Sequence, residues 1–484
     1  MLKLWVAWKM PLKIHSPSSH PTALLNIKPL ILATITVVIA AIAGCGGKNA
    51  TPTEEEHHLP DTLRVGTLYS PTSYFLYKGE EMGYEYELIS NLAKDKGMKL
   101  DIKVAHTMNA MLEMLDSGLI DVIAYEIPIT AEYRNRVIHC GKQNITHQVL
   151  VQHVGKKDTI LTDVTQLPGK EVWVIKDSKY DARLRNLDNE LGGGIGIRTI
   201  DKDTLIAEDL IEMVANRSIP LTIVDSDIAR LNKTYYTNID ISLQVSLDQK
   251  SSWAVAKDHQ WLADSINAWT SQAGAEATSK RLLKRYFEMS KRTLGIDYHL
   301  TLKHGKISPY DNFFKHYSQS IGWDWRLLAA QAYTESHFDN NVVSWAGARG
   351  LMQIMPKTAE AYGLSPENVT NPQLNIEAAA KIIKDLDKSL KSKVPDETER
   401  INFIIAAYNS GIGHVYDAIE IAKITGRNPQ IWDGNVAEAI LLKAHPEYYN
   451  NEVCRFGYFK GKQTIEYVAQ VKKIYQLYRA KIKY

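Results

Sequence analysis

The sequence predicts a multidomain protein in which an α/β domain is followed by an all-α domain. Two observations carry this. From Leu63 onward, short apolar runs such as Asp121-Val122-Ile123-Ala124 alternate with helical stretches, the pattern of mixed α/β structure. Beyond about Gly295 the strand signals stop, and apolar residues recur only at three- and four-residue spacing. A third feature, a basic and then apolar N-terminus, sets a leader in front of both domains.

The chain has 484 residues, 45% of them hydrophobic and 23% charged, enough for two domains with a core each. Its formal net charge of +2, with no long basic stripe, argues against a nucleic-acid partner. Cys140 and Cys454 have no metal-type spacing, and neither a metal nor another cofactor is expected.

In the leader, Lys3, Lys9, Lys13 and Lys28 precede an uncharged run over 29–43, shorter than the roughly 20 residues a spanning helix needs. The run ends Ile42-Ala43-Gly44-Cys45, which resembles a bacterial lipobox. The resemblance implies that 1–44 is a signal peptide, that Cys45 is lipidated, and that the chain is held at a membrane by this anchor. Gly46, in place of aspartate, favours the periplasmic face of the outer membrane. The other reading is an uncleaved anchor helix. Residues 45–60, with Glu54-Glu55-Glu56 among Gly, Thr and Pro, read as a solvated tether. Cys140 and Cys454 fall in different domains, and no disulfide is expected between them.

The first domain is placed at 61–292. Strands are expected near 63–67, 100–104, 121–124, 172–175, 221–224 and 253–257, and helices at 86–96, 108–117, 203–216 and 260–272. Leu63-Arg64-Val65-Gly66, Gly83-Tyr84-Glu85-Tyr86-Glu87-Leu88, Gly118-Leu119-Ile120-Asp121 and Trp253-Ala254-Val255-Ala256-Lys257 follow in order. Together they resemble the periplasmic solute-binding proteins of the amino-acid type. That implies two α/β lobes around a ligand cleft, with crossover strands near 149–152 and 243–246, and a muropeptide or amino-acid-like ligand. In the family, a Thr-x-Glu-Arg segment supplies an arginine for the ligand carboxylate. Here it reads Thr130-Ala131-Glu132-Tyr133-Arg134, so a phenol stands where a bidentate guanidinium is expected. Tyr133 and Arg134 are therefore the candidate ligand residues, Arg134 either reaching in or lying on the surface.

The second domain is placed at 293–484, with helices expected at 310–321, 325–334, 356–361, 376–390, 399–407, 415–423 and 464–478. Leu328, Ala332 and Glu335 fall at i, i+4 and i+7, which puts a carboxylate in line with an apolar stripe. A carboxyl buried there is pushed toward its neutral form, the state a general acid needs, although a frayed helix end fits the spacing equally. Downstream, Ser344 to Pro356 forms a glycine-punctuated loop leading into a helix, and Ala407-Tyr408-Asn409-Ser410-Gly411 ends an apolar helix with an aromatic and an amide suited to sugars.

Glu335-Ser336, Gly350-Leu351-Met352-Gln353, Ala407-Tyr408-Asn409 and Glu466-Tyr467-Val468 resemble, in order and spacing, the lysozyme-like catalytic domain of family-one lytic transglycosylases. The resemblance implies a peptidoglycan substrate, with Glu335 as the sole catalytic carboxylate. It further implies that Ser344, Gln353, Met355, Tyr408 and Asn409 line a sugar cleft, and that Tyr467 orients Glu335. The substrate's own C6 hydroxyl would then attack C1, giving 1,6-anhydromuramoyl ends with no second carboxylate; Asp339 reads as a turn residue. Trp325 reads as core, while Trp323 and Trp345 are open between core and sugar platform. Two alternatives stand beside this reading: a lysozyme-like muramidase, and a solute-binding lipoprotein with an inactive helical domain.

Overall fold

The computed structural model describes residues 59–200, 206–289 and 306–482. The lipobox with Cys45, nearly all of the tether and the boundary at 292–293 lie outside the described residues.

The first domain is built on two five-stranded sheets. In the first sheet, β1 (Thr62–Leu68) runs parallel to β4 (Lys99–Ala105) and β5 (Val122–Pro128), and β12 (Gln249–Ala256) pairs antiparallel with β5 and with β6 (Val137–Thr146). Val122, Ile123 and Ala124 are all buried, because helices cover both faces and a continuous apolar run is what such a strand requires. In the second sheet, β7 (Gln148–His153) pairs antiparallel with β10 (Leu221–Asp225) and β11 (Ile239–Asp240), while β8 (Glu171–Ile175) lies parallel to β10 and β9 (Gly196–Ile200). The sheets are two lobes with separate cores. The chain crosses between β6 and β7, a few residues before the expected crossover, and returns between β11 and β12, where Gln244 bridges Val149. Cys140 and Cys454 are both free.

A short hairpin in the first domain was not anticipated. Phe75–Tyr77 (β2) and Glu80–Met82 (β3) form a hairpin with Tyr77 opposite Glu80. Its two turn residues, Lys78 (φ 49°) and Gly79 (φ 80°), both adopt the left-handed conformation that matches the twist of a two-residue hairpin. Three-residue strands are too short for an alternation pattern to register. Helices at Lys179–Glu190, Ser226–Lys233 and Ala273–Phe287 were also unanticipated.

The second domain is helical. The helix Trp325–Ser336 runs through its centre and is buried on nearly every side, packing against Lys462–Lys481. Asp324 caps its start by accepting the Arg326 N–H at 2.9 Å. The helix Pro372–Leu390 begins four residues before its apolar stripe, because Asn371 caps it and Pro372 takes the first helical position. Glu397–Ser410 and Ile412–Ile424 follow, separated by Gly411. Trp323 and Trp325 are both buried in the core.

A fully buried ion pair supports the end of this domain. Lys443 is completely buried against Asp417, which also accepts the N–H groups of Arg455 and Phe456 at 2.9 Å each. Burial pulls the Lys443 ammonium below its usual range, against the opposing pull of Asp417. Removing one partner of such a pair strands the other charge. Asp417→Ala is therefore expected to lower stability by about 3–5 kcal/mol, read as a lower urea midpoint of the full chain.

Candidate active site

Glu335 is the penultimate residue of the Trp325–Ser336 helix, which His337 closes in a left-handed cap (φ 51°). Ser336 fixes that end by donating to the Leu351 carbonyl at 2.8 Å. The helix thus meets the glycine-rich loop at the carboxylate. Gly350 in that loop has φ 80°, and a Cβ there would lie 2.4 Å from Asn375 Nδ2, so only glycine fits. Asn375 in turn accepts the Met352 N–H at 2.8 Å and donates to the Val369 carbonyl at 2.8 Å.

Tyr467 donates its hydroxyl to Glu335 Oε1 at 2.6 Å from the long C-terminal helix. Burial, and then the neighbouring Glu335 charge, push the Tyr467 phenol well above its usual range, so it stays a donor. Tyr408 is buried and bonds the Met352 carbonyl at 2.8 Å, tying the Glu397–Ser410 helix to the loop. Asn409 accepts the Thr464 hydroxyl at 2.8 Å. Ser344 and Gln353 face their own loop: Ser344 Oγ accepts the Ala348 N–H, and Gln353 Nε2 donates to Val342 and Gly350 carbonyls. Met355 is buried with the core of the first domain. Asp339 is exposed and caps a turn by accepting the Asn341 N–H at 2.9 Å. No second carboxylate pairs with Glu335 among the described residues.

The residue that sequence reasoning missed comes from the other domain. Lys78, at the hairpin tip, sets its ammonium 3.4 Å from each Glu335 oxygen and 5.8 Å from the Tyr408 ring centre. The two side chains are only 8% and 7% exposed, so the carboxylate is closed to a polysaccharide in this arrangement. Backbone bonds fix the tip: Lys78 N–H donates to the Ser410 carbonyl (3.1 Å), and His414 Nε2 donates to the Leu76 carbonyl (2.9 Å). A Cβ on Gly411 would lie 2.7 Å from Gly79 N, so this approach also depends on glycine. Glu80 accepts the Lys357 N–H (2.7 Å) and the Thr358 N–H (3.3 Å), filling the start of the Pro356–Ala361 helix. Tyr77 packs on Trp345 with ring centres 5.3 Å apart. Trp345 is thus an interdomain contact here.

Both lobes touch the helical domain. Arg285, beside the first lobe and paired with Glu87, donates to the Trp345 and Ala346 carbonyls. From the second lobe, Asn232 accepts from Lys460 at 3.1 Å and Glu212 pairs with Lys462. A cleft of about 440 Å³ opens between the lobes; Tyr133 lines it, whereas Arg134 is exposed outside it. Among the described residues, no group of His, Cys, Asp and Glu could hold a metal ion.

Residues 312–431 match the Transglycosylase SLT domain family, and residues 63–289 match bacterial extracellular solute-binding proteins, family 3. Over 420 residues the chain is 30% identical to the membrane-bound lytic murein transglycosylase F of Pseudomonas fluorescens strain Pf-5, spanning 86% of this chain and 84% of that one. It is equally 30% identical to the protein of that name from Desulfosudis oleivorans, spanning 86% and 90%. Among solved structures, the unliganded open L-cystine solute receptor of Neisseria gonorrhoeae is 20% identical, covering 47% of this chain and 93% of that chain with a TM-score of 0.41.

Proposed function

The chain belongs to the membrane-bound lytic murein transglycosylase F family, a peptidoglycan lyase with a solute-binding-like N-terminal domain, and on that premise we propose Glu335 as its only acid and base. The observation that carries this is a carboxylate held by the Tyr467 hydroxyl at 2.6 Å, with no carboxylate partner among the described residues.

Protonated Glu335 gives its proton to the oxygen leaving C1 of MurNAc in the β-1,4 bond to GlcNAc. Positive charge develops at C1. The carboxylate then takes the proton of the same sugar's C6 hydroxyl, whose oxygen bonds to C1. One C–O bond breaks, one forms, Glu335 ends protonated as it began, and no water is consumed. Because the attack is intramolecular, its entropy cost is small and a second carboxylate is unnecessary. Tyr408, Asn409, Ser344, Gln353 and Met355 are proposed as the walls of the sugar cleft once the hairpin withdraws.

In this reading the first domain is regulatory, and the arrangement with Lys78 on Glu335 is the resting state. With the Lys78 ammonium against both its oxygens, Glu335 is walled off from the glycosidic oxygen it would protonate. A cleft ligand that favours an arrangement with the hairpin withdrawn releases the site, and only differential affinity for the two arrangements can do so. We further assign Cys45 as the lipidated residue, 1–44 as its signal peptide, and 45–60 as a tether from the outer membrane. Among the described residues no helix is long and apolar enough to cross a membrane.

Digestion of purified peptidoglycan, with mass analysis of the fragments, tests the reaction. Fragments ending in anhydromuramic acid, one water lighter than hydrolytic ones, are expected. Full-mass reducing ends would instead establish a muramidase.

A further inference from the structure

The interlobe cleft has the wrong charge for the ligand that its fold suggests. Its lining includes Glu126 from the first lobe and Glu208, Asp225 and Asp227 from the second. No arginine lines it among the described residues, and its lysines, Lys179 and Lys250, are exposed at the rim. Lys179 is already paired with Asp225 at 2.5 Å. Glu126 accepts from Asn144 and Asp225 from Tyr180, which leaves Glu208 and Asp227 as the less satisfied pair. Glu208 is 8% exposed and accepts no hydrogen bond from another residue among those described, while one Asp227 oxygen is sealed from solvent without a partner. A buried polar group left unpaired is costly, and its usual explanation is a missing partner.

Glu126 and Asp227 face each other across the lobes. Burial, and then the charge of Asp227 on Glu126 and of Asp225 on Asp227, raise both carboxyls above their usual range, even though Asp227 lies in the first turn of the Ser226–Lys233 helix, where the dipole favours the anion. Burial thus makes each carboxyl reluctant to ionise while the cleft holds no cation, and a cation between the two walls stabilises the ionised form of both. Tyr125, Tyr133 and Tyr180 add aromatic faces suited to an ammonium.

We propose that the cleft takes a small organic cation bearing a primary ammonium, gripped between Glu126 and Asp227, and not an amino acid held by its carboxylate. The ammonium supplies the hydrogen bond that the sealed Asp227 oxygen lacks and draws the lobes together. Since both lobes are fixed to the catalytic domain, one through Arg285 and the other through Asn232 and Glu212, closure strains the contacts that seat the hairpin.

This inference rests on the reading of the first domain as a ligand sensor, and calorimetric titration of the full chain in detergent tests it, with cadaverine as the probe cation and L-glutamate as the probe anion. Cadaverine is expected to bind, and Asp227→Asn and Glu126→Gln each to weaken it by about tenfold or more. Tyr133→Arg, which adds a guanidinium, is expected to weaken cadaverine and to confer binding of L-glutamate, a gain that misfolding cannot imitate. Failure of cadaverine to bind, equal binding by the variants, or tighter binding of L-glutamate to the unaltered chain overturns the assignment. Glycan release measured on the same samples separates the two claims. Cadaverine binding without any change in release keeps the ligand class and removes the sensor reading, whereas L-glutamate binding with a changed release does the reverse.

Discussion

Glu335→Gln is expected to reduce glycan cleavage by about 10³-fold or more, since in the proposed mechanism the residue carries both proton transfers and each is the kind of step worth roughly 10²–10⁴-fold. The amide keeps the shape of the side chain and can still accept the Tyr467 hydroxyl, so the helix end should persist. It cannot neutralise Lys78, however. With the hairpin seated, that ammonium would be buried at 8% exposure without its counter-charge, an arrangement that costs about 3–5 kcal/mol. The variant should therefore spend more time with the hairpin withdrawn than the unaltered chain does. Greater protease sensitivity at 75–82 together with lost cleavage is the expected pair of results. Substantial anhydromuropeptide release by this variant would remove Glu335 from the mechanism.

Lys78→Ala is expected to do the opposite, raising the initial rate of peptidoglycan solubilisation without added ligand by about tenfold or more. Seated, the alanine variant leaves Glu335 facing the hairpin with no cation; withdrawn, it loses nothing. A difference of 1–3 kcal/mol between the arrangements corresponds to about 5- to 150-fold in their ratio. Lys78→Arg should retain a low rate, because the charge remains. An unchanged or lower rate in Lys78→Ala would show that the hairpin does not govern access.

Local pattern made much of the second domain legible. The helix Pro356–Ala361 was expected over the residues it occupies, because a proline at its first position marks where it starts. The central helix was equally plain, although its spacing alone left open whether Glu335 was buried or frayed. What the sequence concealed were contacts between residues far apart in the chain. Lys78 and Glu335 are 257 residues apart, and nothing local to either announces the other. Lys78-Gly79 between Tyr77 and Glu80 did carry a hairpin signal, a two-residue turn between short strands, but the flanking strands are too brief to reinforce it. Resemblance transfers positions and not orientations, which is why Ser344 and Gln353 could be named while their bonds to their own loop could not. In the first domain the departure at Tyr133 was visible in the sequence, but the acidity of the cleft was not, because Glu126, Glu208 and Asp227 come together only when two lobes face each other.

The glycine at 411 has a consequence for how such a protein can vary. It admits the hairpin backbone to within 2.7 Å of where a side chain would begin, on the same stretch that carries Tyr408 and Asn409. In the proposed cycle, residues on that wall answer to two different templates at different times, a sugar strand and a polypeptide turn, and a substitution that suits one can expel the other. Exchanging the catalytic half for that of a distant relative should consequently yield an unregulated wall-cleaving enzyme more readily than an inert protein, because foldability of the half is easier to preserve than its fit to a foreign turn.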